Sequence, residues 1–240
     1  MCGRFVMAIP ASKLREMFKA ENIPLLKARY NISPGQDAAV LFDDRTMGTA
    51  TWGFARSAAM SGKQSALQFN SRVETFIKTL AGGSNATRHG QPCLVPASGF
   101  YEFTAATSGR LKQPWYFTLK DNEPMAMAGI VKRMTSDSAT DVRFAFSILT
   151  TEANDCVRAY HQRMPVILPP DAYDRWLTHS FSAMKRNTPA LDGISDLLKP
   201  FDSSRMSVRP VSNQVNNSRN DSPDLIEIIE LKQPSPGLFD

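Results

Sequence analysis

The 240-residue chain is poor in sulfur and imidazole, with three cysteines (Cys2, Cys93 and Cys156) and three histidines. An odd number of cysteines with no Cys-x-x-Cys pair excludes a disulfide framework and the usual structural zinc site, and it fits free thiols in a reducing compartment. No metal and no cofactor is expected. No stretch approaches the run of about 18 apolar residues that a spanning helix needs, and the opening MCGRFVMAIP lacks a basic region followed by an apolar one. These absences lead to the expectation of a cytoplasmic protein without a membrane partner. No fixed-period repeat, long low-complexity tract or heptad is present, so nothing calls for a solenoid or an obligate coiled-coil assembly, and a monomer is expected.

What is present is an ordinary globular composition, 42% hydrophobic and 21% charged, with 28 basic against 23 acidic residues and a net charge of +5. The excess favours an anionic partner, though weakly until the positions of the arginines are considered. Short β-type runs recur at 38–42, 49–54, 93–103, 115–119, 125–131, 144–150, 166–168 and 207–211. Helical patterns are fewer, at 11–20, 71–80, 154–160, 170–177 and 191–198. Strands outnumber helices without βαβ alternation, which predicts an α+β fold on a curved, mostly antiparallel, barrel-like sheet with peripheral helices. The stretch 54–68, interrupted by Gly and several Ser, and the Asn- and Ser-rich stretch 212–224 read as loops. One domain over 1–232 is expected, followed by a frayed tail, QPSPGLFD, at 233–240.

Four positions could carry chemistry. If Met1 is removed, Cys2 presents an α-amine beside a thiol, and this 1,2-aminothiol can attack an aldehyde and close a thiazolidine. The alternative is a small residue at a frayed terminus. Glu102 lies in an aromatic run, PASGFYEF, where it either alternates outward into water or enters a desolvated pocket that raises its pKa. His161 sits at a helix end ahead of a proline-containing strand and reads either as structural or as a proton shuttle beside Arg163. Asn70, in FNSRVET, is either a helix N-cap with Glu74 in the first turn or an amide aimed at a reacting carbon. His89 and His179 look like surface residues.

The segments MCGRF (1–5), RYNISPGQ (29–36), WGF (52–54), FNSRVET (69–75), PASGFYEF (96–103), HQRMPVIL (161–168) and PVSNQVNN (210–217) together resemble the SRAP family, the SOS response-associated peptidase proteins. The resemblance spans almost the whole chain. It implies a protein that crosslinks itself to abasic sites in single-stranded DNA through a thiazolidine on Cys2, shields the lesion, and gathers at the nucleoid when bound. It further implies AP-lyase-like and peptidase-like self-processing activities. Carried over by position, Cys2 is the nucleophile, Asn70 the positioning amide, Glu102 the acid/base and His161 a second proton-transfer group. Arg4, Arg72 and Arg163 match positions that hold DNA phosphates, and Phe103 stands where a base-stacking tryptophan is common. The chain departs from the family at Phe100 and Phe103, in the loop 55–60 (ARSAAM), near Leu80 and Lys78, where a basic residue is frequent, and at Gln162. Two readings from other classes remain: a thiol peptidase using Cys2, His161 and Glu102, and a non-catalytic single-strand binding module.

Overall fold

The computed structural model describes residues 2–20, 22–55, 67–81, 90–104, 112–134, 142–179 and 193–231. In chain order the first elements are β1 (Arg4–Met7), α1 (Ala11–Phe18), β2 (Arg29–Ile32), β3 (Asp37–Leu41), β4 (Met47–Trp52), β5 (Phe54–Ala55), β6 (Leu67–Gln68), β7 (Asn70–Arg72), α2 (Val73–Ala81), β8 (Gln91–Ala97) and β9 (Gly99–Phe103). There follow β10 (Pro114–Leu119), β11 (Met125–Met134), β12 (Arg143–Glu152), α3 (Asp155–Arg158), β13 (Arg163–Pro165), β14 (Ile167–Leu168), α4 (Tyr173–Leu177) and β15 (Met206–Pro210). One sheet runs β15-β10-β9-β1-β2, and a second runs β13-β12-β4-β3-β8-β11-β14 with β7 also on β12. Pairing is antiparallel except where β12 meets β4 and β7. The result is the expected α+β domain on curved, mostly antiparallel sheets with peripheral helices.

The two sheets face each other across one apolar core. Phe5, Ile32, Phe100 and Phe117 enter it from the first sheet, and Leu41, Trp52, Leu94 and Phe146 from the second. Trp52 joins the layers: its ring meets Phe5 edge-on at 5.0 Å and stacks on Phe146 at 6.3 Å. Burying each of these large side chains contributes about 1.5–3 kcal/mol. The first sheet is covered on both faces, because Val6, Tyr101 and Tyr116 point instead into a smaller cluster with Val211, Val215 and Leu225.

The stretch expected to be a polar loop after 211 is what covers that second face. Its 3-10 turns bury Val215 and Leu225 completely. Asn31 in β2 binds this segment by donating from Nδ2 to the carbonyls of Val215 (3.2 Å), Asn217 (3.0 Å) and Asn220 (2.9 Å). Asp221 returns the connection by accepting from the backbone N–H groups of Tyr30 and Asn31 and from the Arg29 guanidinium. The RYNISPGQ and PVSNQVNN segments are therefore two halves of one structural tie.

The remaining sequence expectations differ mainly at boundaries. The run expected over 93–103 divides at Ser98 into β8 and β9. A Cβ on Gly99 would lie 2.4 Å from the Phe117 carbonyl oxygen and 2.6 Å from the Tyr116 ring, so only glycine lets β9 turn so closely onto β10. β1, β2, β7 and β13 are strands that their short, mixed-polarity segments did not announce. Residues 56–66 of the expected loop at 54–68 and the tail at 233–240 lie outside the described residues; the loop's two ends pair as β5 and β6.

Candidate active site

Asn70 is not a helix cap. It opens β7, whose residues Asn70, Ser71 and Arg72 run parallel to Ile148, Leu149 and Thr150 of β12, and the helix begins only at Val73. The preceding residue is pinned from two sides, because the Phe69 carbonyl accepts from the Trp52 indole N–H (2.8 Å) and from Ile148 N–H (3.0 Å). Trp52 of the WGF segment thus anchors the strand that presents Asn70. From there Asn70 Nδ2 donates to the Cys2 carbonyl at 2.7 Å, while its buried Oδ1 has no partner among the described residues.

Cys2 is fully buried, next to β1, with its Sγ–H directed at the Arg4 carbonyl 3.7 Å away. Burial pushes the thiol pKa up, and the negative charge of Glu102 pushes it further; the amino-terminal charge and the Arg4 carbonyl act more weakly, in the opposite sense. Sequence alone leaves an ordinary thiol near pH 8.5. The structure instead holds it protonated.

Glu102 enters the interior and is 3% exposed. It lies in β9 directly across from Trp115 of β10. Desolvation raises its pKa to about 7, against the pull of the positive amino terminus. This is the pocket alternative, and it makes Glu102 a carboxyl that both holds and releases a proton near neutrality.

His161 follows α3, a one-turn helix whose N-cap Asn154 accepts from Val157 N–H and donates to the Phe201 carbonyl at 2.7 Å. Arg163 N–H reaches His161 Nδ1 at 2.9 Å. Nδ1 also lies 3.1 Å from the Arg163 carbonyl, so it accepts from the Arg163 N–H when Nε2 carries the hydrogen and donates to the Arg163 carbonyl when Nδ1 carries it. Burial, followed by the amino-terminal charge, lowers the His161 pKa. In the unprocessed chain this charge is that of the Met1 amino group, and it acts on Cys2, Glu102 and His161 alike.

The expected phosphate contacts sit in different environments. Arg72 is exposed on β7. Arg4 is half-buried opposite Tyr101, with desolvation lowering its pKa and Nε unpartnered among the described residues. Arg163 has a side chain 14% exposed and forms a two-pronged pair with Glu74, Nη1–Oε1 2.7 Å and Nη2–Oε2 3.1 Å, while Nη2 also donates to the Thr150 carbonyl. Phe103 packs against the smaller Tyr101–Tyr116 cluster. Of the other histidines, His89 lies outside the described residues and His179 is half-buried at the end of α4.

Two aromatic residues escaped the sequence reading. Trp115, across from Glu102, packs on Tyr160 at 4.6 Å, and Tyr160 immediately precedes His161. The pairing of β9 with β10 reveals Trp115, and its ring contact reveals Tyr160.

The family model for the SOS response associated peptidase (SRAP) matches residues 1–218. The chain belongs to the SRAP family. Among curated relatives, the abasic site processing protein YoqW of Bacillus subtilis is 29% identical over 239 residues, covering 95% of this chain and 99% of its own. The abasic site processing protein HMCES of Gallus gallus is 26% identical, covering 88% of this chain and 65% of its own. A solved protein from Bacteroides thetaiotaomicron, 22% identical, superposes with a TM-score of 0.75 over 95% of this chain and 100% of its own, which shows the shared fold.

Proposed function

We propose that this SRAP protein processes abasic sites in single-stranded DNA by forming a covalent thiazolidine on Cys2 once Met1 is removed. The observation that carries the reading is the Asn70 amide bound to the Cys2 carbonyl beside a buried Glu102 with a pKa of about 7. Its relatives' names support the substrate class.

The protonation states order the steps. The thiol is held neutral, so the α-amine attacks first, adding to the aldehyde carbon of the ring-opened sugar. That aldehyde forms as His161 takes the proton of the anomeric hydroxyl and returns one to the sugar ring oxygen, so the furanose opens with no net gain or loss of protons. The carbinolamine loses its hydroxyl as water with a proton from Glu102, leaving an iminium ion and the Glu102 carboxylate. The carboxylate then takes the thiol proton as Sγ bonds to the iminium carbon, and the C=N electron pair returns to nitrogen, which keeps its one hydrogen. The sum is aldehyde plus aminothiol giving thiazolidine plus one water. Asn70 fixes the Cys2 backbone throughout, and its unused Oδ1 can accept from the amine or a sugar hydroxyl. Arg4, Arg72 and Arg163 meet phosphates flanking the lesion, and Phe103 lies near the strand's path. An abasic site lacks a base, so placing its sugar in the site costs little unstacking. The iminium ion also allows β-elimination, giving lyase-like cleavage where ring closure fails.

The test is incubation with single-stranded oligonucleotides that contain or lack one abasic site, read on a denaturing gel. A denaturant-resistant adduct with the abasic strand alone is expected. Cys2→Ser keeps reversible DNA binding and loses the stable adduct. Adduct with intact DNA overturns the aldehyde chemistry, and peptide cleavage without adduct transfers the site to a thiol peptidase.

A further inference from the structure

One carboxylate serves two of the arginines assigned to the DNA backbone. Glu74, in the first turn of α2, clamps Arg163 with both oxygens, across 89 residues of sequence. It also lies close enough to Arg72 for that charge to act on it. With Nη1 and Nη2 on Glu74 and Nη2 also on the Thr150 carbonyl, Nε is the nitrogen of Arg163 that lacks a partner among the described residues, and that atom is buried. The guanidinium therefore presents no fork to an incoming phosphate. The Glu74 side chain is 51% exposed, against 14% for Arg163, so the carboxylate is the member of the pair free to swing into solvent.

We infer that Glu74 is a specificity-determining residue: it occupies the phosphate-facing donors of Arg163 in the free protein and must be displaced by the DNA backbone. This rests on the reading of Arg163 as a phosphate contact. Its consequence is discrimination. A strand that offers only phosphates must compete with a carboxylate already in place and binds weakly, whereas a strand with an abasic aldehyde is retained by the covalent step. A negative charge placed against an unwanted partner raises selectivity without improving the wanted contact.

The experiment is a fluorescence-anisotropy titration of the full chain with an intact, labelled single-stranded oligonucleotide over a range of salt concentrations. Glu74→Gln keeps the side-chain shape, and circular dichroism checks its folding. It is expected to bind about threefold tighter at low salt, the scale of an exposed ion pair. The slope of log affinity against log salt should steepen by about 0.7, the value for one more phosphate contact on a single strand. Glu16→Gln, in α1, removes the same charge from an exposed Lys13 pair and should gain less. Adding Arg163→Gln to Glu74→Gln should abolish the gain. An unchanged or weaker affinity, a gain matched by Glu16→Gln, or a gain that survives loss of Arg163 overturns the inference. Trapping of abasic DNA by the same wild-type preparation separates the outcomes: trapping without a Glu74→Gln gain sinks only this inference, and failure to trap sinks the reading of the site.

Discussion

Asn31 and Asn70 each sit in a strand and donate an amide hydrogen to the backbone of a distant segment, yet they work in different surroundings. Around Asn31 the connections are redundant: three carbonyls accept from one amide, and Asp221 binds the strand from the other direction. Among the described residues the Asn70 side chain makes one bond, to Cys2, beside a buried carboxyl kept near its titration point. The first region uses polar groups to hold two parts of the chain together. Both amide oxygens are buried without a partner among the described residues, but that of Asn70 lies beside a carboxyl poised to titrate, which is the arrangement expected of a reactive site.

That contrast is breakable by exchange of roles. Asn31→Ala removes all three donations, and urea unfolding should show a loss of about 3 kcal/mol, with adduct formation unchanged wherever the protein is folded. Asn70→Ala should reverse the pattern, slowing adduct formation on the order of 100-fold in single-turnover assays, the effect of deleting one preorganised donor, while costing little stability. Equal stability losses in the two variants would erase the distinction.

The next effect is pH-dependent and smaller. Glu102 has a folded pKa of about 7, above its ordinary value of 4.5, so the folded state binds the extra proton. The stability it contributes is fully present below about pH 4.5 and is lost as pH rises through 7. Wild type should therefore lose about 2 kcal/mol relative to Glu102→Gln between pH 5 and pH 8, followed by chemical unfolding across that range. The same variant should form adduct more slowly without weaker DNA binding. A parallel pH profile for the two proteins would show that Glu102 is not desolvated in solution.

The sequence exposed this contrast only in part. Apolar alternation reads well where a strand is long and buried, as at β8 to β12, and there the fold class was legible. β1, β2, β7 and β13 are only three or four residues long and mix polar with apolar side chains, so their pairing is decided by partners elsewhere in the chain. Cys2, Asn70, Glu102 and His161 were legible as an ordered set of motifs, but their states were not. Neither the protonated thiol nor the neutral-range Glu102 follows from residue type, because both come from burial. The Glu74–Arg163 pair was illegible for the same reason: 89 residues separate its members, and β13 and α2 meet only through β12 and β7.

Joint closure of the Cys2 amine and thiol on an abasic aldehyde leaves a signature in the intact mass of the trapped complex. The expected mass is that of the protein without Met1 plus the abasic oligonucleotide less one water, stable to denaturation and absent with Cys2→Ser. An adduct that retains Met1, or one of the same mass and stability formed by Cys2→Ser, would contradict it.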